Sequence, residues 1–116
     1  MRGFLRSLFS PATGATGEIP AIREREGALR ALDDQALRAA FRDATGLLDA
    51  LAIVTAVASR VLGMEMFDVQ LRGALGLARG RIIEMQTGEG KTLACTPAVA
   101  WLARGGRGVH VMTVND

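Results

Sequence analysis

The residues with the clearest chemical meaning lie near the end of the chain, where residues 87–92 read Thr-Gly-Glu-Gly-Lys-Thr. Gly88 and Gly90 allow a backbone turn without a Cβ clash, and a helix that follows offers unpaired N–H groups and the positive end of its dipole. Lys91, the only lysine in the chain, is predicted to reach the β- and γ-phosphates of ATP. The Thr92 hydroxyl is predicted to complete a Mg²⁺ shell with phosphate oxygens and water.

Three nearby residues refine this prediction. The longer pattern G-x-x-x-x-G-K-[ST] has Met85 in place of its first glycine, so the motif is the shorter T-G-x-G-K-T form. Glu89, inside the turn, is expected to point to solvent or to a neighbouring domain rather than to act as a catalytic base. Gln70 precedes the turn, and its amide offers one acceptor and two donors that match the N6/N7 edge of adenine.

The elements around the motif are predicted from apolar periodicity. Helices are expected over residues 25–44, over 47–62 with an end at Gly63, and from Asp68, as a possible cap, to near Gly80. Strands are expected over 81–86 and 109–114, with a helix over 91–104 that bends at Pro97 or has it near its first turn. Strand, turn, helix and strand form one βαβ unit with parallel strands. Gly73 and Gly76, each costing about 1 kcal/mol in a helix, indicate close packing against another element.

The expected fold class is therefore α/β, with N-terminal helices followed by a βαβ unit that contains the phosphate turn. We divide the chain into an amphipathic tail and linker (1–20), a helical region (21–63) and the first part of a nucleotide-binding domain (64–116). In the tail, one side carries Phe4, Leu5, Leu8 and Phe9, with Arg2 and Arg6 beside them. That face fits a lipid surface or a partner, or a helix docked on its own protein.

Composition argues against several classes of function. Apolar residues make up 49% of the chain, and aromatic residues make up 4% without a tyrosine, which argues against stacking on single-stranded nucleic acid. The net charge of +2 comes from intermixed acidic and basic residues, so there is no basic patch for nucleic acid. Cys95 is the only cysteine, which excludes an intrachain disulfide and fits a reducing compartment.

Three blocks of sequence together closely resemble the SecA family, the ATPase motors of bacterial preprotein export. The blocks are residues 64–71, 83–93 and 108–116. The resemblance is continuous over 58–116 and weaker over 29–51. It implies that the predicted βαβ unit opens a P-loop motor domain of the RecA-like, helicase type, which is incomplete here. It implies that Gln70 belongs to an adenine-reading Q motif and that Met64 and Phe67 line the base side of the pocket. It also implies that Gly88, Glu89, Gly90, Lys91 and Thr92 bind the phosphates.

The same resemblance implies ATP and Mg²⁺ as cofactors. Its implied partners are the Sec translocon channel, preproteins and acidic membrane lipid, with a possible homodimer in the full-length family and no nucleic acid. The implied location is cytoplasmic and peripheral on the cytoplasmic face of the inner membrane. Gln86, Glu65 and Met66 depart from the residues usual in the family, which suggests a divergent or accessory member.

Catalysis is not expected from this segment alone. The resemblance places the acidic strand-end motif, the second motor domain and the arginine finger beyond Asp116, and phosphoryl transfer depends on such positioned charges. Two alternatives stay open: a truncated, non-catalytic remnant that binds a partner, and a DEAD-box nucleic-acid helicase, which also has a Q motif before this turn. Such helicases usually continue with a P-T-R-E-L type segment where this chain ends Thr-Val-Asn-Asp.

Overall fold

The computed structural model describes residues 17–86 and 88–112, which form five helices. In chain order these are α1 (Glu18–Leu29), α2 (Asp34–Asp43), α3 (Leu47–Leu62), α4 (Asp68–Ala78) and α5 (Lys91–Ala103). α3 contacts every other helix, and the most extensive helix pairings are those of α4 with α5 and of α1 with α3. No helix in this described part of the chain is long and apolar enough to cross a membrane. Phe4, Leu5, Leu8, Phe9 and Thr87 lie outside the described residues, as do 113–116.

α3 is apolar on most sides because it lies between the other helices, as its sequence predicted. Thr55 within it is fully buried, and its hydroxyl donates to the Leu51 carbonyl at 2.7 Å, so this buried polar group is satisfied. Gly63 ends the helix in the left-handed conformation, with φ of 66° and its N–H donated to the Ser59 carbonyl. Both predicted ends of this helix are therefore confirmed.

The single helix predicted over 25–44 is two helices, and the first begins earlier, at Glu18. Pro20 is accommodated because it lies in the first turn of α1, where its missing N–H has no intrahelical partner. α2 starts afresh after Asp33, whose carboxylate accepts the N–H of Ala36 at 2.7 Å. Apolar spacing continues across the break, so spacing alone predicted one helix.

The glycines of α4 allow other segments to approach its backbone. A Cβ on Gly73 would lie 3.1 Å from Cδ1 of Ile83 and 3.2 Å from Sδ of Met85. A Cβ on Gly76 would lie 2.8 Å from Cγ2 of Ile83, closer than real Cβ atoms approach. The close packing predicted from these two glycines is therefore confirmed, and it brings the segment that leads into the glycine motif onto α4.

The predicted α/β fold class is wrong for the described residues, which form helices and no strands. Within them, 81–86 and 108–112 have no regular secondary structure and exchange no backbone hydrogen bonds, so the βαβ unit is not formed. Within the first segment, Met85 is buried while Ile82 is 63% exposed. A strand needs, in addition, a neighbour that takes its N–H and C=O groups. Here the apolar side chains pack on a helix instead.

The helix predicted over 91–104 is confirmed as α5, and Pro97 lies inside it, beyond the first turn. Its C-terminal end is joined to α2 through Arg104. The Arg104 guanidinium donates to the backbone carbonyls of Arg42 and Ala44, and it lies over the rings of Phe41 and Trp101, at 5.4 and 5.3 Å from their centroids. These contacts of Arg104 fix the end of α5 that is remote from the glycine motif.

Candidate nucleotide-binding site

The glycine turn, defined here as residues 88–90, leads directly into α5. Gly88 and Gly90 have φ of 89° and 76°, the left-handed region that glycine enters without strain. Gly90 is the N-cap of α5, and no side chain caps the helix there. Lys91 and Thr92 lie in the first turn of α5, and both are exposed. The structure therefore gathers four of the predicted phosphate and magnesium residues at one helix N-terminus; their binding stays a prediction.

Glu89 was expected to point to solvent or to a neighbouring domain, but its side chain folds back onto the turn. Its carboxylate accepts the N–H of Gln86 at 2.8 Å, and its own N–H donates to the Gln86 carbonyl at 3.2 Å. These two bonds close the turn from within. They also engage the carboxylate that is nearest in sequence to Lys91, so Glu89 is arranged to hold backbone rather than to activate water.

Gln70 connects the start of α4 to the glycine turn. Its side chain is 4% exposed, and its Oε1 accepts the N–H of Phe67 at 2.8 Å. Its Nε2 donates to the carbonyls of Glu89 at 3.1 Å and Gly90 at 3.3 Å. The amide thus satisfies the N-cap of α4, which is Phe67 rather than the predicted Asp68, and holds the turn in register with it.

The hydrogen-bond inventory of Gln70 limits how it can read a base. Nε2 donates to two carbonyls of the glycine turn, so its two hydrogens are engaged. Oε1 has two lone pairs, and one of them accepts the N–H of Phe67. The second lone pair is suited to the N6 amine of adenine, which is a donor. A bond to adenine N7 requires one of the two turn carbonyls to be released. The predicted adenine contact is not tested by this arrangement and stays a prediction.

Met64 and Phe67, the predicted base contacts, lie in the base-side loop, defined here as residues 64–67. Their side chains are 54% and 68% exposed, while that of Met66 between them is 1% exposed and belongs to the core. The loop is therefore attached by Met66 and presents two apolar side chains outward. The structure places them beside Gln70 along the chain, and contact with a base stays a prediction.

Arg30, the residue that follows α1, holds the base-side loop through Glu65, which the sequence did not predict. Arg30 donates to the Glu65 carboxylate at 2.5 Å, and this hydrogen bond lowers the pKa of Glu65 from its usual value. The same side chain pairs with Glu26 at 3.2 Å. The available signal was weak, because alternating arginine and glutamate in a helix usually indicates a solvated face. The described residues contain no group of three His, Cys, Asp or Glu side chains arranged for a metal.

These features define a helical segment in which a buried glutamine is joined to a glycine turn at a helix N-terminus. The family model of the SecA DEAD-like domain matches residues 17–116. The chain belongs to the SecA family, as its sequence blocks indicated.

Curated relatives agree with that assignment, and each is named protein translocase subunit SecA. The chain is 47% identical to the Wolinella succinogenes protein over 107 residues, covering 82% of this chain and 12% of that one. It is 43% identical to the Rickettsia typhi protein over 132 aligned positions, covering all of this chain and 15% of that one. It is 50% identical to the Acidiphilium cryptum protein over 109 residues, covering 84% of this chain and 12% of that one. The chain thus spans 12 to 15% of these relatives. No solved structure matches it.

Proposed function

We propose that this chain is the ATP-binding segment of a SecA-like ATPase that drives protein export. One observation carries the proposal: the Gln70 amide bonds the carbonyls of Glu89 and Gly90, which directly precede Lys91. A residue suited to a purine edge and residues suited to phosphates are therefore parts of one hydrogen-bonded unit. An ATP molecule needs both ends bound at once, and this unit offers them.

In this proposal the triphosphate lies at the start of α5. The uncapped N–H groups of the first turn and the helix dipole favour a negative charge there. Lys91 supplies a mobile cation for the β- and γ-phosphates, and the Thr92 hydroxyl supplies one ligand to the Mg²⁺ that ATP brings. The purine lies towards Gln70, Met64 and Phe67.

We propose binding without efficient hydrolysis by these residues. Hydrolysis of a phosphoanhydride requires a group that orients water and charges that stabilise the transition state. Glu89, the nearest acidic residue in sequence to Lys91, is bonded to the Gln86 N–H. The site as described therefore favours holding ATP over cleaving it.

The wider role rests on family membership and on the name shared by the relatives, protein translocase subunit. We propose the Sec translocon channel, preproteins and acidic membrane lipid as partners, at the cytoplasmic face of the membrane. The matched family and relatives favour this over the helicase alternative.

Calorimetric titration of the 116-residue chain tests the proposal. With Mg²⁺ present, we expect ATP to bind with a Kd below about 1 mM, a binding free energy better than roughly −4 kcal/mol. Tripolyphosphate is expected to bind more weakly than ATP, because it offers the phosphates without the base. Absence of ATP binding at millimolar concentration, in a chain whose helical content by circular dichroism matches the described helices, would contradict the proposal.

A further inference from the structure

The peptide unit between Met66 and Phe67 is held from both sides. Its carbonyl oxygen, on Met66, accepts from Nη2 of Arg23 in α1. Its N–H, on Phe67, donates to Oε1 of Gln70 at 2.8 Å. Because a peptide unit is planar and rigid, bonds to both its oxygen and its hydrogen fix its orientation. This unit therefore links α1 to Gln70, and through Gln70 to the glycine turn.

Arg23 is itself held by two carboxylates. Glu26, one turn later in α1, accepts from its Nη1 at 3.2 Å, and Asp68 at the start of α4 accepts from its Nη2 at 2.9 Å. The Glu26 side chain is 2% exposed and pairs with Arg30 as well, at 3.2 Å. A buried carboxylate is tolerated only when it is paired and hydrogen-bonded, so Glu26 is a fixed anchor for both guanidinium groups.

The bond from Arg23 is not required to attach the base-side loop to the protein. Met66 already does this, since its side chain is 1% exposed and its sulfur lies 3.9 Å from the Thr55 hydroxyl in the core. What the guanidinium adds is control of the rotation of the next peptide. That rotation sets the direction in which the exposed Phe67 side chain projects and the place where Oε1 of Gln70 is held.

We propose that Arg23, oriented by Glu26, is a positioning residue for the base-binding half of the nucleotide site. The inference rests on the proposed ATP-binding function and names the part of the ligand that Arg23 controls. Arg23 supports affinity for adenine, whereas the phosphates are bound at Lys91 without its help. The planar guanidinium fork is needed because it reaches the Met66 carbonyl and the Asp68 carboxylate together, which a lysine ammonium does less well.

The test compares Arg23→Met with Arg25→Met. Both variants remove one guanidinium from α1 and keep an apolar stem, but Arg25 pairs with Asp49 of α3 at 3.1 Å, away from the base-side loop. The probes are the Mg²⁺ complexes of ATP, ITP and tripolyphosphate, since ITP lacks the N6 amine of adenine. For Arg23→Met we expect the Kd for ATP to rise about fivefold to tenfold, the effect of one lost hydrogen bond. Tripolyphosphate affinity is expected to stay within about twofold, and the preference for ATP over ITP to shrink.

Arg25→Met is expected to leave all three affinities unchanged. Equal weakening of ATP and tripolyphosphate by Arg23→Met would overturn the positioning role, because it would show a general loss of structure. An unchanged ATP-to-ITP ratio would overturn it as well. If Arg23→Met does not fold, Arg23→Lys keeps the charge and is expected to lower the ratio of ATP affinity to ITP affinity. Wild-type protein that binds no ATP would overturn the proposed function itself, whereas normal wild-type binding with an unchanged ratio would overturn this inference alone.

Discussion

Replacing Lys91 with alanine is expected to weaken Mg-ATP binding by about tenfold to 100-fold. A hydrogen bond between charged partners is worth roughly 1.5–3 kcal/mol. Lys91 is the only lysine in the chain, so no other ammonium group can replace it at the phosphates. The side chain is exposed, so its removal is expected to change the free energy of unfolding by no more than about 0.5 kcal/mol. Calorimetric titration with ATP, beside a urea unfolding curve, measures both quantities.

Arg107→Ala is the matched control for this variant. Arg107 is also exposed and basic, and it lies in the turn after α5, at the other end of that helix from the glycine turn. Its loss lowers the net charge by the same amount and is expected to change the ATP affinity by less than about twofold, through long-range electrostatics alone. Equal effects of the two variants would mean that Lys91 acts only through net charge.

Replacing Gly90 with alanine is expected to destabilise the fold and to weaken ATP binding together. Its φ of 76° is strained for alanine, which costs roughly 1–2 kcal/mol. In addition, the new Cβ would overlap Nε2 of Gln70 and displace an amide that makes three hydrogen bonds. A buried amide left without its partners costs roughly another 1–3 kcal/mol. The midpoint of urea unfolding, followed by the fluorescence of Trp101, the only tryptophan, measures the total.

Gly88→Ala separates the cost of backbone strain from the cost of displacing the Gln70 amide. Gly88 has a similar positive φ of 89°, but a Cβ built there meets no atom within 4 Å. It is therefore expected to show the strain cost without the Gln70 cost, so Gly90→Ala is predicted to be the more destabilising by at least about 1 kcal/mol.

A double variant tests the cause directly. If the extra cost of Gly90→Ala comes from Gln70, then combining it with Gln70→Ala is expected to cost less than the sum of the two single changes. Strict additivity would show that the clash with the amide is not the reason.

The helices were largely predictable because their signals are local. Gly63 terminates α3 by adopting a conformation that glycine favours, and the apolar faces of 47–62 need only the 3.6-residue period. The boundary between α1 and α2 was missed because Asp33 makes a cap inside a continuous apolar pattern. The prediction of two strands was wrong for a different reason. Ile83 and Met85 have the alternation of a strand, but pairing depends on a partner segment that no local pattern specifies.

The candidate site shows the same division. Gln70 was predicted as a candidate from its residue type and its place before the glycine motif. The hydrogen bonds from its amide to the turn depend on packing. Gly73 and Gly76 allow Ile83 and Met85, which precede the turn in sequence, to approach α4. The role of Arg23 depends on contacts across 43 residues of sequence, which composition and period do not reveal.

Chemical modification of amines gives the sharpest test of whether ATP is held with its phosphates against Lys91. Because Lys91 is the only lysine, an amine-reactive reagent has two targets, its ε-amino group and the terminal α-amino group, which serves as an internal reference. Mass spectrometry of the peptides gives both rates. We predict that saturating Mg-ATP slows the modification of Lys91 by about tenfold or more, in line with the expected strength of the contact, and leaves the terminal amine unchanged. Equal rates at Lys91 with and without bound ATP would contradict the account.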